Sequence, residues 1–460
     1  MSTPTVVAVG GPTVAIIGGG VTGLVAAYRL RTSLGADARI VILEQSDRLG
    51  GKLRTVPFAG GPVDVGAEAF IGRRPEMPAL LDELGLADQT VHPAGARPLI
   101  YAGAELHPMP VGTLMGIPAD AQALAGLVDS ATLDRIAAEP DVPLHWERGG
   151  DISVAELVGT RFGDQVVRRS VDPLLGGVYS GLSDTAGVRA TLPTLAAALD
   201  AGAPNLSEAV RRALPPPSTA PVFGTLRDGY GVLLDALERA AAAEIHAGTP
   251  ASALRRAGHR WSIDPVGEVD GVVLAVPAPQ AAALLADVAP AAAADAERIP
   301  LASSVVVALA LPRDSGLPRN SGILVATGED LSAKAFTLSS RKWPHLAERD
   351  VELARASFGR FGDAALVDAD DDHLIALART DLATVTGVTA EPVAAFVQRW
   401  HGGLPQYRAG HDEIVAALEA AVADLDGIEV AGAMLHGVGV PACVGSGTKA
   451  AARLTTRMAG

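Results

Sequence analysis

Residues Thr13–Arg31, TVAIIGGGVTGLVAAYRLR, and Ala38–Thr55, ARIVILEQSDRLGGKLRT, decide the fold. Val14–Ile17 is a short apolar run rich in β-branched residues, the pattern of a strand buried on both faces. Gly18, Gly20 and Gly23 follow at once, with Gly19 between them, as G-x-G-x-x-G. Gly18 allows a tight turn, Gly20 lets backbone approach a pyrophosphate, and Gly23 lets a helix over Leu24–Arg31 lie close to the sheet. The start of that helix, just after Thr22, presents free N–H groups and a positive dipole end to phosphates. A second strand, Ile40–Leu43, ends at Glu44, 21 residues beyond Gly23, where a carboxylate followed by Gln45 can meet a ribose diol. Strand, glycines, helix and acid in this order specify a dinucleotide site.

The text after the acid narrows the ligand. Arg48-Leu49-Gly50-Gly51-Lys52-Leu53-Arg54-Thr55 brings a second glycine pair to the pyrophosphate, with Arg48 available for charge. This R-x-G-G-x-x-x-T continuation resembles the FAD-binding flavin oxidases of the amine oxidase, phytoene desaturase and protoporphyrinogen oxidase superfamily, which implies FAD as the cofactor.

At 460 residues the chain has room for two or three domains and a large core. Its net charge of −15 argues against a general binder of nucleic acid or anionic membranes, which needs a basic face. Only Lys52, Lys334, Lys342 and Lys449 are lysines, so carboxylate recognition falls mostly to bidentate arginines. The single cysteine, Cys443, excludes an internal disulfide and fits a reducing, cytoplasmic setting; it reads as a small buried residue rather than a flavin tether. Met1–Pro12 lacks the basic start of a signal peptide and reads as a frayed tail. The apolar runs Leu301–Leu311 and Val272–Ala286 are too short or too broken by proline to span a bilayer, although a peripheral membrane contact stays open.

Five segments follow from the pattern: residues 1–80 as the first part of the FAD-binding domain, 81–217 as a helical insertion, 218–299 as the second part, 300–400 as a mixed-sheet substrate domain, and 401–460 as the third part. The insertion rests on amphipathic stretches such as Met77–Leu86, Ala121–Ala137 and Val154–Phe162, closed by the proline-rich Leu214–Ser218. Strands are expected at Glu244–His246, Ser252–Leu254, Trp261–Ile263 and Val272–Val276. In the substrate domain they are expected at Ser304–Leu311, Gly322–Val325, Ala335–Ser339 and Glu352–Phe358, before a helix near Asp371–Val385. Near the end, Glu429–Ala431 leads into a glycine-rich turn containing Gly432 and Gly439, next to Val440, and a helix starting near Ser446. The fold class is therefore α/β: a discontinuous Rossmann-like FAD-binding domain, a mixed-sheet substrate domain and a helical insertion. No internal repeat is present.

Four further motifs sharpen the resemblance. They are Gly66–Phe70 with Arg73–Glu76, Asp172–Gly181 (DPLLGGVYSG), Ser339–Trp343 (SSRKW) and Gly437–Cys443 (GVGVPAC), and they are similar to the bacterial porphyrinogen oxidases, particularly the soluble actinobacterial type. The resemblance implies FAD- and oxygen-dependent oxidation of coproporphyrinogen III to coproporphyrin III, or of protoporphyrinogen IX to protoporphyrin IX, in heme biosynthesis. Six electrons leave the macrocycle two at a time, as hydride from a meso carbon with loss of pyrrole N–H protons, and oxygen is reduced to hydrogen peroxide. The flavin does the difficult step, so no catalytic side chain or metal is expected, and protein need only hold the ring and anchor its propionates. By the same resemblance Gly66 and Ala67 pass beneath the flavin and Ala251 lies beside the adenine. Gly432, Gly439 and Val440 approach the pyrimidine end. Gly177 and Val178 wall the macrocycle, and Arg97, Arg341 and Lys342 are candidate propionate anchors, ahead of Arg168 and Arg169. A transient contact with the downstream ferrochelatase is implied as well.

Two other readings compete. A flavin amine oxidase commonly carries a lysine near the flavin on the first strand of the substrate sheet and an aromatic cage by the C-terminal loop. Here that position is Val306, and Ile428–Gly447 contains no aromatic residue. A non-enzymatic dinucleotide-binding protein is the other. Between the two porphyrinogens, resemblance to the soluble actinobacterial type favours coproporphyrinogen, whose four propionates demand more basic groups than the two of protoporphyrinogen.

Overall fold

Alternation along β1 (Thr13–Ile17) sets the layering of the nucleotide-binding part. Val14 and Ile16 share a core with Leu24, Val25 and Leu30 of helix α1 (Val21–Leu34), while Ala15 and Ile17 share the opposite core with Trp261, Leu285 and Leu418. A strand covered on both faces has no polar side to show, which is why its sequence reads as a continuous apolar run. The computed structural model describes residues 11–216 and 218–459. The tail expected at Met1–Pro12 thus lies, up to Gly10, outside the described residues.

In chain order, β2 (Arg39–Leu43) pairs parallel with β1. There follow β3 (Leu99–Ala102), β4 (Glu105–Pro108), helix α2 (Asp172–Tyr179), β5 (Glu244–His246) and β6 (Gly271–Leu274). The substrate half adds β7 (Leu301–Pro312), β8 (Gly322–Val325), β9 (Ala335–Thr337), β10 (Val351–Phe358), helix α3 (Asp371–Thr386) and β11 (Ala394–Pro405). β12 (Ile428–Val430) and helix α4 (Val440–Ala459) complete the set. A five-stranded parallel sheet has the order β5-β2-β1-β6-β12, with Val14 opposite Gly271 and Val272 opposite Ile428. Its strands come from three separated stretches, so the nucleotide-binding unit is discontinuous.

A seven-stranded mixed sheet, β11-β7-β10-β9-β8-β3-β4, forms the roof. Its only parallel pair is β3 with β8, Ile323 opposite Leu99. One face packs on α3 through Val305, Val307, Phe358 and Leu382; the other packs on Val56, Val63 and Trp343 through Ala308, Ala310 and Leu353.

The sequence expectation needs correction at several places, among them the strand expected at Ser252–Leu254, which runs from Leu254 to Ala257. Residues 81–217 are not purely helical, because β3 and β4 leave that segment to complete the roof. Ile100 and Ala102 of β3 are buried in the same core as Val154, Phe162 and Leu195, so helical segment and roof share one interior. Burial of Ile100 alone is worth about 2 kcal/mol of transfer free energy. β11 was not expected, and it runs across the boundary placed at 400 to Pro405. Ser339 ends no strand; Ser339–Lys342 is one helical turn. The last helix begins at Val440, six residues before Ser446, with proline at its second position, where a missing N–H costs nothing.

Candidate active site

The dinucleotide cradle is assembled from the residues singled out above. Gly18 has φ +103°, and a Cβ there would lie 2.4 Å from the Ala275 carbonyl oxygen; one at Gly23 would lie 2.0 Å from the Gly18 oxygen. Glycine is thus required for the turn and for the close seat of α1. Gly20 has open space on its Cβ side, with Gly51 Cα 3.8 Å away, so the two glycine loops flank one another. The Gly50 N–H donates to the Gly19 carbonyl at 2.8 Å and ties them. Helix α1 has no side-chain N-cap and no acid in its first turn, leaving the amides around Thr22 free for an anion.

Glu44 is buried at the carboxyl end of β2. One carboxylate oxygen accepts from Gly19 N–H at 2.7 Å, the other from the Ser46 N–H and hydroxyl at 2.9 and 2.8 Å. Its carbonyl accepts from Thr249 N–H at 2.8 Å, which brings the segment bearing Ala251 alongside. Gln45 is exposed. Lys52 is exposed at the side-chain level, and partial burial is the main cause that lowers its pKa, with Cys443 and Glu44 opposing.

Arg48 differs from expectation. Its guanidinium donates to the carbonyls of Leu49, Leu53 and Gly51 at 3.0, 3.1 and 2.7 Å, so it knits the second glycine loop rather than offering free donors to a phosphate. Gly66 crosses that loop so closely that a Cβ would lie 2.0 Å from the Lys52 oxygen, and Ala67 N–H donates to the same oxygen at 3.2 Å. The indole N–H of Trp400 donates to the Val65 carbonyl at 3.1 Å. At the far side Gly432, φ +122°, donates to Ser446 Oγ at 2.9 Å near Thr22. Gly439 and Val440 open α4, which packs on α1. Cys443 is buried there, and burial pushes its thiol up, so it behaves as a packed apolar residue.

The expected substrate residues divide. Gly177 and Val178 are exposed at the end of α2, Val178 by 43%, and Gly177 faces Leu324 of β8. The motif around them also has a structural role: the buried Asp172 accepts from Ser183 N–H at 3.0 Å, from the Ser183 hydroxyl, and from the Thr327 hydroxyl at 2.8 Å, pinning α2 to the roof. Arg97 is exposed, and only its carbonyl is engaged, by Ser321 N–H at 3.3 Å and Asn320 at 3.2 Å.

Arg341 and Lys342 are not free anchors. Arg341 pairs with Glu352 and donates to the Leu317 carbonyl at 3.1 Å; Lys342 pairs with Glu68 at 2.9 Å. Arg168 bonds the Thr327 carbonyl at 3.3 Å and Arg169 the Leu127 carbonyl at 3.0 Å, both as structural ties.

Sequence reading missed the network around Glu68. Arg355, from β10, reaches Glu68 at 2.7 Å and the Gly66 carbonyl at 2.9 Å, linking roof to cradle. Burial alone would raise the Glu68 carboxyl, but Lys342 and Arg355 outweigh it and hold it down to about 2. Asp64, where burial dominates instead, is pushed up to about 6. Tyr407 was also missed. Its hydroxyl donates to the Ala433 carbonyl and accepts from Gly437 N–H, both at 2.6 Å, and Tyr179 stands 5.6 Å away between ring centres. The loop Ile428–Gly447 lacks aromatics in its own text, yet the fold supplies them from outside, so that argument against an amine substrate falls. Val306 stands on the first roof strand between Ser357 and Gln398, with no lysine at the position.

The model of the flavin-containing amine oxidoreductases matches residues 21–455. The chain belongs to this family. Within the family, the chain is similar to proteins named coproporphyrinogen III oxidase: 52% identity over 444 residues with that of Mycobacterium tuberculosis, covering 95% of each chain. The Bacillus subtilis protein of that name is 30% identical over 457 residues, 95% of this chain and 96% of that one. Among solved structures, an Exiguobacterium protein provisionally named protoporphyrinogen oxidase superposes with TM-score 0.86 at 30% identity, covering 97% of this chain and 99% of that one. The cofactor of the family is a flavin, and the cradle fits its dinucleotide form, FAD: two glycine loops, an uncapped helix start, and a carboxylate at the end of β2. Among the described residues no helix is long and apolar enough to cross a membrane.

Proposed function

We propose that this flavoenzyme oxidises coproporphyrinogen III to coproporphyrin III, with oxygen as terminal oxidant and hydrogen peroxide as by-product, in heme biosynthesis. The observation that carries the reading is full-length identity of 50–52% to mycobacterial proteins of that name. The site supports it. FAD, when bound, supplies the two-electron acceptor. The chain's own work is placement: the amides of α1 and the Gly50–Gly51 loop hold the phosphates, Glu44 meets the ribose, and Gly66–Ala67 passes under the ring system. Gly177 and exposed Val178 offer an apolar wall to a macrocycle, and Arg97 offers an unpaired guanidinium to a propionate. Fixing the reacting carbon near its acceptor supplies much of the catalysis in such a site. A cytoplasmic setting, and hand-over of the porphyrin to a metal-inserting enzyme, accord with an unpaired buried cysteine and a diffusible product.

Purified holoenzyme given coproporphyrinogen III or protoporphyrinogen IX under matched conditions, with porphyrin fluorescence followed, tests the substrate. Higher kcat/KM for coproporphyrinogen III is expected; faster turnover of protoporphyrinogen IX would reverse the assignment.

A further inference from the structure

The basic residues of the roof are mostly neutralised. Arg341, Lys342, Arg355 and Arg399 each pair with a carboxylate. Arg349 has none but is held by the Phe58 and Pro62 carbonyls at 3.2 and 2.7 Å; among the described residues of the roof two other cations set in from the surface lack a carboxylate. Lys334 is buried, and its ammonium donates to Ser180 Oγ at 2.8 Å and to the Gly359 carbonyl at 2.5 Å, both neutral. Arg360, the next residue along, is half-buried; among the described residues its guanidinium makes no ion pair within 4.0 Å and no hydrogen bond. The carboxylates that act on it through space are Asp172, already saturated by Ser183 and Thr327, and Asp363. Burial, with Arg360 adding to it, depresses the Lys334 ammonium to about 7, and burial lowers Arg360 too. Uncompensated buried charge is costly and persists where a ligand completes it.

The location fits a substrate carboxylate. Ser180 ends α2 two residues after the exposed Val178, and the Phe361 N–H donates to the Ser180 carbonyl at 2.6 Å, so the Gly359–Phe361 turn is fastened to the macrocycle wall. We propose that Arg360, seated beside Lys334 at the junction of the roof and α2, binds a propionate of the porphyrinogen as a second carboxylate subsite, distinct from Arg97. This rests on the porphyrinogen reading above. A planar guanidinium grips a carboxylate bidentately, while the neighbouring ammonium adds charge and fixes the turn.

The test uses holoenzyme variants Arg360→Gln, Arg360→Lys and Lys334→Met, with KM and kcat for coproporphyrinogen III, flavin content and thermal midpoint. A lost charge-assisted contact is worth about 10- to 100-fold. Arg360→Gln is expected to raise KM by about that factor with kcat and flavin content nearly unchanged, and Arg360→Lys to recover part of it. Lys334→Met is expected to raise KM, with or without a lower substrate-free thermal midpoint. Unchanged KM in Arg360→Gln overturns the proposal, and so does a lower midpoint with unchanged KM in Lys334→Met, which would make the pair a structural latch. Wild-type inactivity toward coproporphyrinogen III with activity toward protoporphyrinogen IX would overturn the substrate reading alone, since the variant-to-wild-type KM ratio on that dipropionate still decides the subsite.

Discussion

Arg97 is exposed, held by its backbone to Ser321, and its side chain has no partner among the described residues. A residue so placed contributes little to stability, so truncation should act on substrate alone. Arg97→Ala is expected to raise KM for coproporphyrinogen III by about 10-fold, with flavin content and unfolding midpoint unchanged, as read by steady-state kinetics and the flavin absorbance of purified protein. Loss of flavin would make Arg97 structural. Arg341 and Lys342 are the instructive contrast. In the sequence they stand in a motif beside a tryptophan, as anchors would, but Glu352 and Glu68 claim them. Glu68 is 274 positions from Lys342, and nothing local in the text signals which charges will be cancelled at such range. Arg360 and Lys334 are the converse: unremarkable in the sequence, and conspicuous only once the fold leaves them without a carboxylate.

Elements differ in legibility for the same reason. The elements of Thr13–Thr55 could be read because its strand period, glycine spacing and terminal acid lie within one supersecondary unit, whereas the turn of Arg48 onto the carbonyls of its own loop could not. The hairpin β3–β4 could not, since its defining partner is β8, more than 200 positions on. Tyr407 entered the C-terminal loop through a fold contact that no window of sequence contains. The roof strand β10 is joined to the cradle by Arg355–Glu68, and that link gives a pH prediction. The Glu68 carboxyl is lower in the folded chain, about 2, than its usual 4.5. It therefore contributes stability above pH 4.5 that is lost as pH falls toward 2, at most about 3 kcal/mol. Asp64, raised to about 6, works the other way, its contribution being fully present below 3.8 and lost as pH rises through 6. Burial, the main cause of the Asp64 shift, persists in Glu68→Gln, and the Glu68 charge is the smallest of the causes acting on Asp64, so denaturant unfolding across pH 7 to 3 should still show a flatter acid limb for the variant. Parallel curves would mean that the ion pairs do not couple roof to cradle.

At the scale of the whole molecule there are three parts: a nucleotide-binding unit built from separated stretches, a mixed-sheet roof, and a helical segment that shares a core with the roof. The net charge of −15 makes approach of a polyanionic substrate unfavourable at long range, so binding has to rely on a few local cations. On the proposed reading the flavin is the oxidant and the chain's part is to hold the macrocycle against it. The most direct measurement is anaerobic titration of the holoenzyme with coproporphyrinogen III, followed by admission of air. Bleaching of the flavin absorbance, appearance of porphyrin fluorescence at one porphyrin per three flavins reduced, and return of the flavin spectrum in air are expected; flavin that stays oxidised in the presence of the porphyrinogen would contradict the account.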